Sequence, residues 1–142
     1  MASANVELVR SIAAFGERGE VLHLQPAEWA HPEIEWVIAD GPTAGRWSGV
    51  AGMVESFRNM LSAWDDLRYH ADEYRELDNE RVLVLFRVSG RGKASGIEVG
   101  ELDTGGAWVW HVREGKVAKI VTYYDRDRAF ADLGLAAQGD AP

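Results

Sequence analysis

Apolar residues in the first part of the chain recur at three- and four-residue steps, the spacing of helices with one buried face. The first stripe consists of Val6, Val9, Ile12 and Ala13. It predicts an amphipathic helix that ends near Gly19. A second stripe follows Ser48, a candidate N-cap, and comprises Val50, Met53, Val54, Phe57, Leu61 and Trp64. This second stripe predicts the principal core helix.

Between and after these helices the apolar period falls to two, which is typical of half-buried strands. One strand is predicted over 33–40, and four more are predicted at about 67–77, 81–89, 95–112 and 116–124. Glycine-containing turns at 90–93 and 113–116 are short, so the strands that they join are expected to be antiparallel. A last short helix is predicted from Asp125, its candidate N-cap, to Gly134, and a loose polar tail is predicted at 136–142.

The composition narrows the classes of partner. The chain has 142 residues, 46% of them hydrophobic, which fits one globular domain. Its 15 Lys and Arg against 23 Asp and Glu give a net charge of −8, which repels phosphate backbones and anionic lipid heads. We therefore expect no nucleic-acid or membrane partner. No apolar run approaches the ~20 residues of a membrane span, and the first residues have neither a basic nor an apolar segment, so a cytoplasmic location is expected. The chain has no Cys, and its four His lack a metal-ligand spacing, so neither a metal nor a cofactor is predicted.

Helices followed by a curled antiparallel sheet predict an α+β domain with a conical cavity between the two layers. Six motifs strengthen this expectation: Trp36, Arg46-Trp47-Ser48-Gly49, Gly90-Arg91-Gly92, Ala107-Trp108-Val109-Trp110, Gly115-Lys116-Val117 and Tyr123-Tyr124-Asp125. Through them the chain resembles SnoaL-like members of the nuclear transport factor 2-like superfamily from about residue 5 to 135. The resemblance implies a single SnoaL-like domain over 1–142, with N-terminal helices packed in a cone-shaped α+β barrel.

The resemblance does not extend to two well-defined chemistries of that superfamily. The oxyanion-hole Asp, the phenol and the base of isomerase-like relatives would fall on Trp108, near Ile12, and near Trp36 or Val37. The water-activating trio of epoxide hydrolase-like relatives would fall near Val82, Val84 and Thr122. These side chains cannot supply the acid, base or water-holding groups, so neither mechanism is expected here.

Asp125 is the principal candidate for acid/base chemistry. In cyclase-like relatives an Asp that closes an aromatic-aromatic-Asp motif has that role, and here Asp125 follows Tyr123 and Tyr124. Inside an aromatic cone, desolvation would disfavour its charged form. The alternative is that Asp125 only caps the helix that follows. Tyr124 shares the predicted inward face with Ile120 and Thr122, so its hydroxyl either orients a ligand carbonyl or bonds to the backbone.

The remaining candidates are predicted to line the cone, and most are aromatic. They are Trp36, Trp64, Tyr69, Phe86, Gly106, Trp108, Trp110 and Thr122. The small Gly106 beside the large Trp108 predicts room for a flat ligand next to a wall. The alternative is that the Trp side chains simply fill the core. His70 and His111 lie on the opposite parities of their strands and are predicted to point outward.

Two functions remain open from the sequence. One is a small acid/base enzyme of cyclase or isomerase type that acts on an apolar, ring-containing substrate. The other is a non-catalytic ligand-binding or structural domain. Leu83, Leu85, Val109 and Val121 are predicted to form an apolar patch on the convex sheet face, and such patches commonly mark interfaces. We therefore expect a homodimer through this face, unless a helix or the tail of the same chain covers it.

Overall fold

The computed structural model describes residues 4–17, 26–40, 44–92 and 101–135. These described residues form four helices and six strands. They are α1 (Ala4–Glu17), α2 (Pro26–Trp29), β1 (Ala30–Ile38), β2 (Gly45–Ser48), α3 (Gly49–Ala63), β3 (Trp64–Glu76), β4 (Arg81–Gly92), β5 (Glu101–Arg113), β6 (Lys116–Tyr123) and α4 (Arg126–Leu133). Both predicted long helices and all five predicted strands are present, with shifted ends. The start of the predicted strand at residue 95 and the tail at 136–142 lie outside the described residues.

The six strands form one sheet in the order β2-β1-β6-β5-β4-β3. Strands β3 to β6 are an antiparallel meander, as predicted. The turn predicted at 90–93 is wrong, because Gly90, Arg91 and Gly92 are paired residues of β4. Register shifts near Asp72 in β3 and between His111 and Val112 in β5 bend the strands and help the sheet to curve without closing. The predicted α+β architecture, with helices held in a strongly curved sheet, is confirmed.

Two features of the sheet were not predicted. Strand β1 pairs with β6 in parallel, with Trp36 opposite Ile120, and so completes the sheet on that side of the meander. Strand β2 is an edge strand in which Trp47 lies opposite Trp36. Strand β2 has only four residues, and so short a strand has almost no apolar period by which the sequence could predict it.

The inner face of the sheet packs against α1 and α3 and holds the larger apolar core. Val82, Val84 and Phe86 of β4 point inward and are completely buried. Trp108 and Trp110 of β5 belong to the same cluster, as their alternation predicts. The inner face is therefore the aromatic one.

The outer face carries a second core beneath α4. Phe130, 2% exposed, packs with Leu83, Leu85 and Val109, and burial of such a ring contributes roughly 1.5–3 kcal/mol. Val121 packs against the same cluster. The patch from which a homodimer was inferred is thus covered by a helix of the same chain. The homodimer itself stays a prediction, but the reason given for it is wrong.

The ends of α4 are those that the sequence predicts. The Asp125 carboxylate accepts hydrogen bonds from the backbone N–H groups of Asp127 and Arg128 at 3.0 and 3.4 Å. Gly134 has φ 70°, the left-handed conformation that ends a helix without a Cβ clash. This short helix is fixed at both ends, which holds its apolar face on the sheet.

Candidate functional site

A row of aromatic rings crosses the inner face of the sheet from its β3 edge towards α2. The centroid distances are 5.1 Å for Tyr69 and Trp108, 4.2 Å for Phe86 and Trp108, 5.9 Å for Trp108 and Trp110, and 6.3 Å for Trp110 and Trp29. The Phe86 and Trp108 rings are stacked, and the Trp108 and Trp110 rings meet edge to face. These rings pack on one another in the inner core and are at most 8% exposed.

The space expected above Gly106 is occupied by Phe86. A Cβ added at Gly106 would lie 2.6 Å from Cζ of Phe86 and 2.4 Å from the backbone oxygen of Tyr123. The missing side chain therefore allows a close approach of ring and backbone. The prediction that Gly106 leaves room for a ligand is wrong, because Phe86 crosses over from the neighbouring strand to fill that room.

Two phenols meet at one end of the aromatic row. Tyr69 of β3 and Tyr124, directly after β6, interact through their hydroxyls. Burial raises the pKa of both groups, and the hydrogen bond raises the pKa of Tyr69 further while it lowers that of Tyr124. In such a pair one hydroxyl donates to the other, and the accepting hydroxyl keeps its own hydrogen for a further partner. Tyr124 packs against the inner core, as predicted.

Asp40 holds this part of the chain in place, a role that the sequence analysis missed. One carboxylate oxygen accepts from the Tyr124 backbone N–H at 2.7 Å, and the other accepts from the Asp125 N–H at 3.2 Å. Asp40 lies two residues beyond β1. The backbone N–H of its neighbour Ala39 donates to the backbone oxygen of Thr122 at 2.8 Å. The available signal was an Asp at the end of a strand, a position where such side chains commonly bind backbone N–H groups.

Asp125 lies at the exposed start of α4. One oxygen of its carboxylate accepts both helix-capping bonds. The structure therefore shows the capping role that was one of the two alternatives. The aromatic enclosure expected around this carboxylate is absent, because Asp125 is exposed at the start of α4.

Four buried polar atoms in the described part of the chain have no hydrogen-bond partner: Nε1 of Trp29, Trp108 and Trp110, and Oγ1 of Thr122. The three indoles belong to the inner core, and Thr122 lies opposite Trp108 in the β5–β6 register. By contrast, the Trp36 Nε1 donates to the buried Ser56 hydroxyl at 3.0 Å. Buried polar groups without partners are rare in folded proteins, so this concentration is a distinctive feature of the inner face.

Arg126 braces the aromatic row from the outer side of the sheet. Its guanidinium donates to the Phe86 and Gly106 backbone oxygens at 2.7 and 3.1 Å, and to the Asp72 carboxylate at 3.0 Å. Burial raises the pKa of Asp72, but the guanidinium groups of Arg126 and Arg87 outweigh this effect and hold the pKa below its usual value. The start of α4 is thereby tied to β3, β4 and β5.

The other predicted positions are distributed as follows. Trp36 is buried in the inner core with its ring edge-on to Phe57 at 4.9 Å. Trp64 begins β3, and its side chain lies outside what the structure describes. His70 is exposed, as predicted, and His111 is on the outer parity of β5. Burial, followed by the charges of Lys119 and Arg81, lowers the pKa of His111.

The fold and the aromatic inner face agree with the family found by comparison. Residues 11–120 match the model of the SnoaL-like domain. The chain belongs to the SnoaL-like family. No curated protein matches this SnoaL-like domain in sequence.

Solved structures with the same fold cover most of both chains. TerC, crystallised with polyporic acid, has 22% identity and a TM-score of 0.69, and the match covers 92% of this chain and 98% of TerC. An NTF2-like protein from Burkholderia thailandensis E264 has 25% identity and a TM-score of 0.71 over 88% and 92% of the two chains. A candidate SnoaL-like polyketide cyclase from Jannaschia sp. CCS1 has 16% identity and a TM-score of 0.69 over 98% and 94%.

In the part of the chain that the structure describes, no helix is both long and apolar enough to cross a membrane. Within 4–17, 26–40, 44–92 and 101–135, no three His, Asp or Glu side chains are grouped to hold a metal ion. Function without a metal stays a prediction.

Proposed function

We propose that this SnoaL-like domain binds a small, flat, apolar molecule with a carbonyl oxygen, and that Tyr124 donates a hydrogen bond to that oxygen. The observation that carries the proposal is the Tyr69–Tyr124 hydroxyl pair on the aromatic inner face. In the proposed arrangement Tyr69 donates within the pair, so Tyr124 keeps its own proton for a third group. The likeness to TerC, crystallised with polyporic acid, supports a small-molecule ligand.

The surroundings favour this role over a merely structural one. Tyr69 packs against Phe86 and Trp108 at 5.6 and 5.1 Å, so the pair lies in apolar surroundings. A hydrogen bond in such surroundings is stronger than the same bond in water. Asp40 fixes the Tyr124 backbone from behind, so the donor is held in place before a ligand arrives. Donors held in this way stabilise negative charge that develops on a carbonyl oxygen.

The catalytic form of the proposal is proton abstraction next to the carbonyl. A base takes the proton from that carbon, the C–H electron pair forms an enolate, and Tyr124 donates to the enolate oxygen. Return of the proton to the same carbon restores the ligand and is seen only as exchange. In a ligand with a C=C bond next to that carbon, return of the proton at the far end of the extended enolate completes an isomerisation. In a ligand with a second carbonyl, attack of the carbanion on that carbonyl carbon closes a ring, and the C=O π pair moves to the oxygen, which takes the proton back from the base. Asp125, adjacent to Tyr124, is proposed as the base, and its position at the surface requires the reacting carbon to lie at the mouth of the site.

The alternative is a binding or structural domain without turnover. Stacking of Phe86 on Trp108 and the filling of the Gly106 position favour it, because these rings occupy space that a substrate would need. The two forms differ in one measurable property, since only the enzyme moves a proton on its ligand.

The probe is 1-tetralone, a flat ketone with exchangeable hydrogens beside its carbonyl. Calorimetry measures its binding, and NMR in deuterated buffer measures the exchange of those hydrogens. Exchange faster than in buffer alone supports the enzyme. Binding without accelerated exchange overturns the catalytic form and supports the binding form. Absence of binding overturns the proposal.

Two variants assign the roles. Tyr124→Phe removes only the hydroxyl, so we expect binding about fivefold weaker and an exchange rate lower by about a hundredfold. Tyr123→Phe is the matched control, because this neighbour points to the outer face and bonds to Asp132. We expect the control to bind as the unmodified protein does. Asp125→Asn keeps a capping oxygen and removes the base, so unchanged exchange would show that Asp125 is not the base.

A further inference from the structure

We infer that Arg126 is a positioning residue for the Tyr69–Tyr124 pair, because its guanidinium joins the chain segments that carry the two phenols. This role rests on the proposed function, which uses the same pair, but the pair itself can be observed without a ligand. It places control of the inner-face hydroxyls on the outer face of the sheet.

Asp72 provides the first link, on the side of Tyr69. It is the extra residue at the register shift between Ala71 and Glu73 of β3. Such an extra residue bends the strand and redirects its side chain. The Asp72 carboxylate accepts from the Arg126 guanidinium at 3.0 Å, and hydrogen bonds between charged groups are among the stronger ones. The ion pair therefore holds β3 to the start of α4 at a point three residues after Tyr69.

The Phe86 backbone provides a second link to the same phenol. Arg126 donates to the Phe86 oxygen at 2.7 Å, and the Phe86 ring lies edge-on to the Tyr69 ring with 5.6 Å between centroids. The Phe86 side chain is completely buried. Close-packed interiors transmit small displacements, because few voids are present to absorb them. A shift of β4 at Phe86 would therefore move the ring against which Tyr69 packs.

Tyr124 is connected to the guanidinium through the chain itself. It lies two residues before Arg126, and the stretch between them is held by side chains. Asp40 accepts from the backbone N–H groups of Tyr124 and Asp125, and Asp125 caps α4. Arg126 is thus connected to one phenol by two peptide units and to the other through β3 and β4.

Two consecutive glycines keep space on opposite faces of β5 for this arrangement. A Cβ at Gly105 would lie 3.2 Å from Nε and Cζ of Arg126, and a Cβ at Gly106 would lie 2.6 Å from Cζ of Phe86. Successive side chains of a strand point to opposite faces. Gly105 therefore leaves room for the guanidinium on the outer face, and Gly106 leaves room for the ring on the inner face.

Carbon-13 NMR of tyrosine labelled at Cζ observes the pair directly, because the Cζ chemical shift changes with the hydrogen bonding of the phenol. The chain has four Tyr, which single Tyr→Phe variants assign. Tyr69→Phe and Tyr124→Phe also give the signal of each phenol without its partner. They define the displacement that corresponds to a broken pair. Tyr74 is the internal control, because its ring contacts Arg10 of α1.

Arg126→Met removes the guanidinium and keeps most of the apolar stem. We expect both signals of the pair to move by at least half of the displacement that defines a broken pair. Arg87→Met is the matched control, because Arg87 also donates to Asp72, at 3.3 Å, but its side chain is 59% exposed. It should leave both signals in place. All spectra are recorded well below the melting temperature of each variant, so lower stability alone moves neither signal.

Gly105→Ala is the second variant, and it serves if Arg126→Met does not fold. Its Cβ pushes the flexible end of Arg126 aside and keeps the charge, so both signals should move in the same direction by a smaller amount. The role of Arg126 is overturned if the folded variants leave both signals in place, or if Arg87→Met moves them as far.

Binding of 1-tetralone to the unmodified protein separates this role from the proposed function. Absence of binding overturns the proposed function, and the Cζ signals still decide the role of Arg126. Signals that stay in place in folded Arg126→Met, while 1-tetralone binds the unmodified protein, overturn the role of Arg126 alone.

Discussion

Replacement of Thr122 by Val should make the ligand-free protein more stable. The Thr122 hydroxyl is buried, 1% exposed, and has no hydrogen-bond partner in the chain. Val has the same shape and carries a methyl group where Thr carries the hydroxyl. The variant therefore removes the penalty of an unpaired polar group without opening a cavity.

The size of the effect follows from that penalty. An unpaired buried hydroxyl costs about 1–3 kcal/mol. We take the lower end, because the methyl group must fit where an oxygen was, and expect a gain of about 1 kcal/mol. For 142 residues the unfolding entropy corresponds to roughly 0.3 kcal/mol per degree, so the melting temperature should rise by about 3 °C.

Ser56→Ala is the matched control of opposite sign. The Ser56 hydroxyl is also buried, but it accepts the hydrogen bond of the Trp36 indole at 3.0 Å. Its removal leaves that N–H unpaired and should cost about 1–3 kcal/mol, less about 0.5 kcal/mol regained from the higher helix propensity of Ala. Calorimetric melting and urea denaturation of both variants give the two free-energy changes.

A lower melting temperature for Thr122→Val, like that expected for Ser56→Ala, would contradict the predicted gain in stability. The Thr122 hydroxyl would then have a partner in the free protein, such as a bound water, and the penalty invoked here would not exist. Opposite signs for the two variants would show that partnership, rather than burial alone, decides the energetic role of each hydroxyl.

Four further predictions concern the scaffold and assembly. Gly106→Ala should prevent stable folding, because its Cβ would meet the Phe86 ring and the Tyr123 backbone oxygen at 2.6 and 2.4 Å, and circular dichroism checks this. Asp125→Ala should lower stability by about 1 kcal/mol through loss of the cap, with Asp125→Asn nearly neutral, as measured by urea denaturation. Burial and the hydrogen bond to Asp132 raise the pKa of Tyr123 from 10.0 to about 12. The stabilisation of the folded state that this shift represents is therefore fully present below pH 10 and is lost as the pH rises towards 12. Tyr123→Phe should flatten that decline when unfolding is measured by denaturant at a series of pH values. The homodimer predicts a two-chain mass in sedimentation at micromolar concentration, and a single species with the mass of one chain would contradict it.

Local pattern was sufficient for most of the fold. Successive side chains of a strand point to opposite faces of the sheet, so the position of one residue fixes the side of all the others. Alternation therefore placed Phe86 and Trp108 on the inner face and Leu83 and Leu85 on the outer face. The position of α4 was also predicted from its two ends. Its docking over Leu83 and Leu85 was not, since no local signal tells a helix which apolar surface it will cover.

The site was harder to predict than the fold. Tyr69 and Tyr124 were each placed inward, but 55 residues separate them in the chain, and only the curvature of the sheet brings their hydroxyls together. The filled position above Gly106 depends on a ring from the neighbouring strand. The exposure of Asp125 depends on where α4 starts relative to the rim of the sheet. Each of these features depends on how two elements pack together. The spacing of apolar residues within one element does not predict that packing.

The parallel pairing of β1 with β6 also affects how the chain is made. Synthesis delivers β1 early, yet its long partner begins at Lys116, about 80 residues after Ile38. At ~5–20 residues per second, a nascent chain holds β1 for about 4–16 s with only the four-residue strand β2 to pair with. During this interval Ile34, Trp36 and Ile38 have no complete sheet to enter, so their apolar side chains depend on later strands for burial.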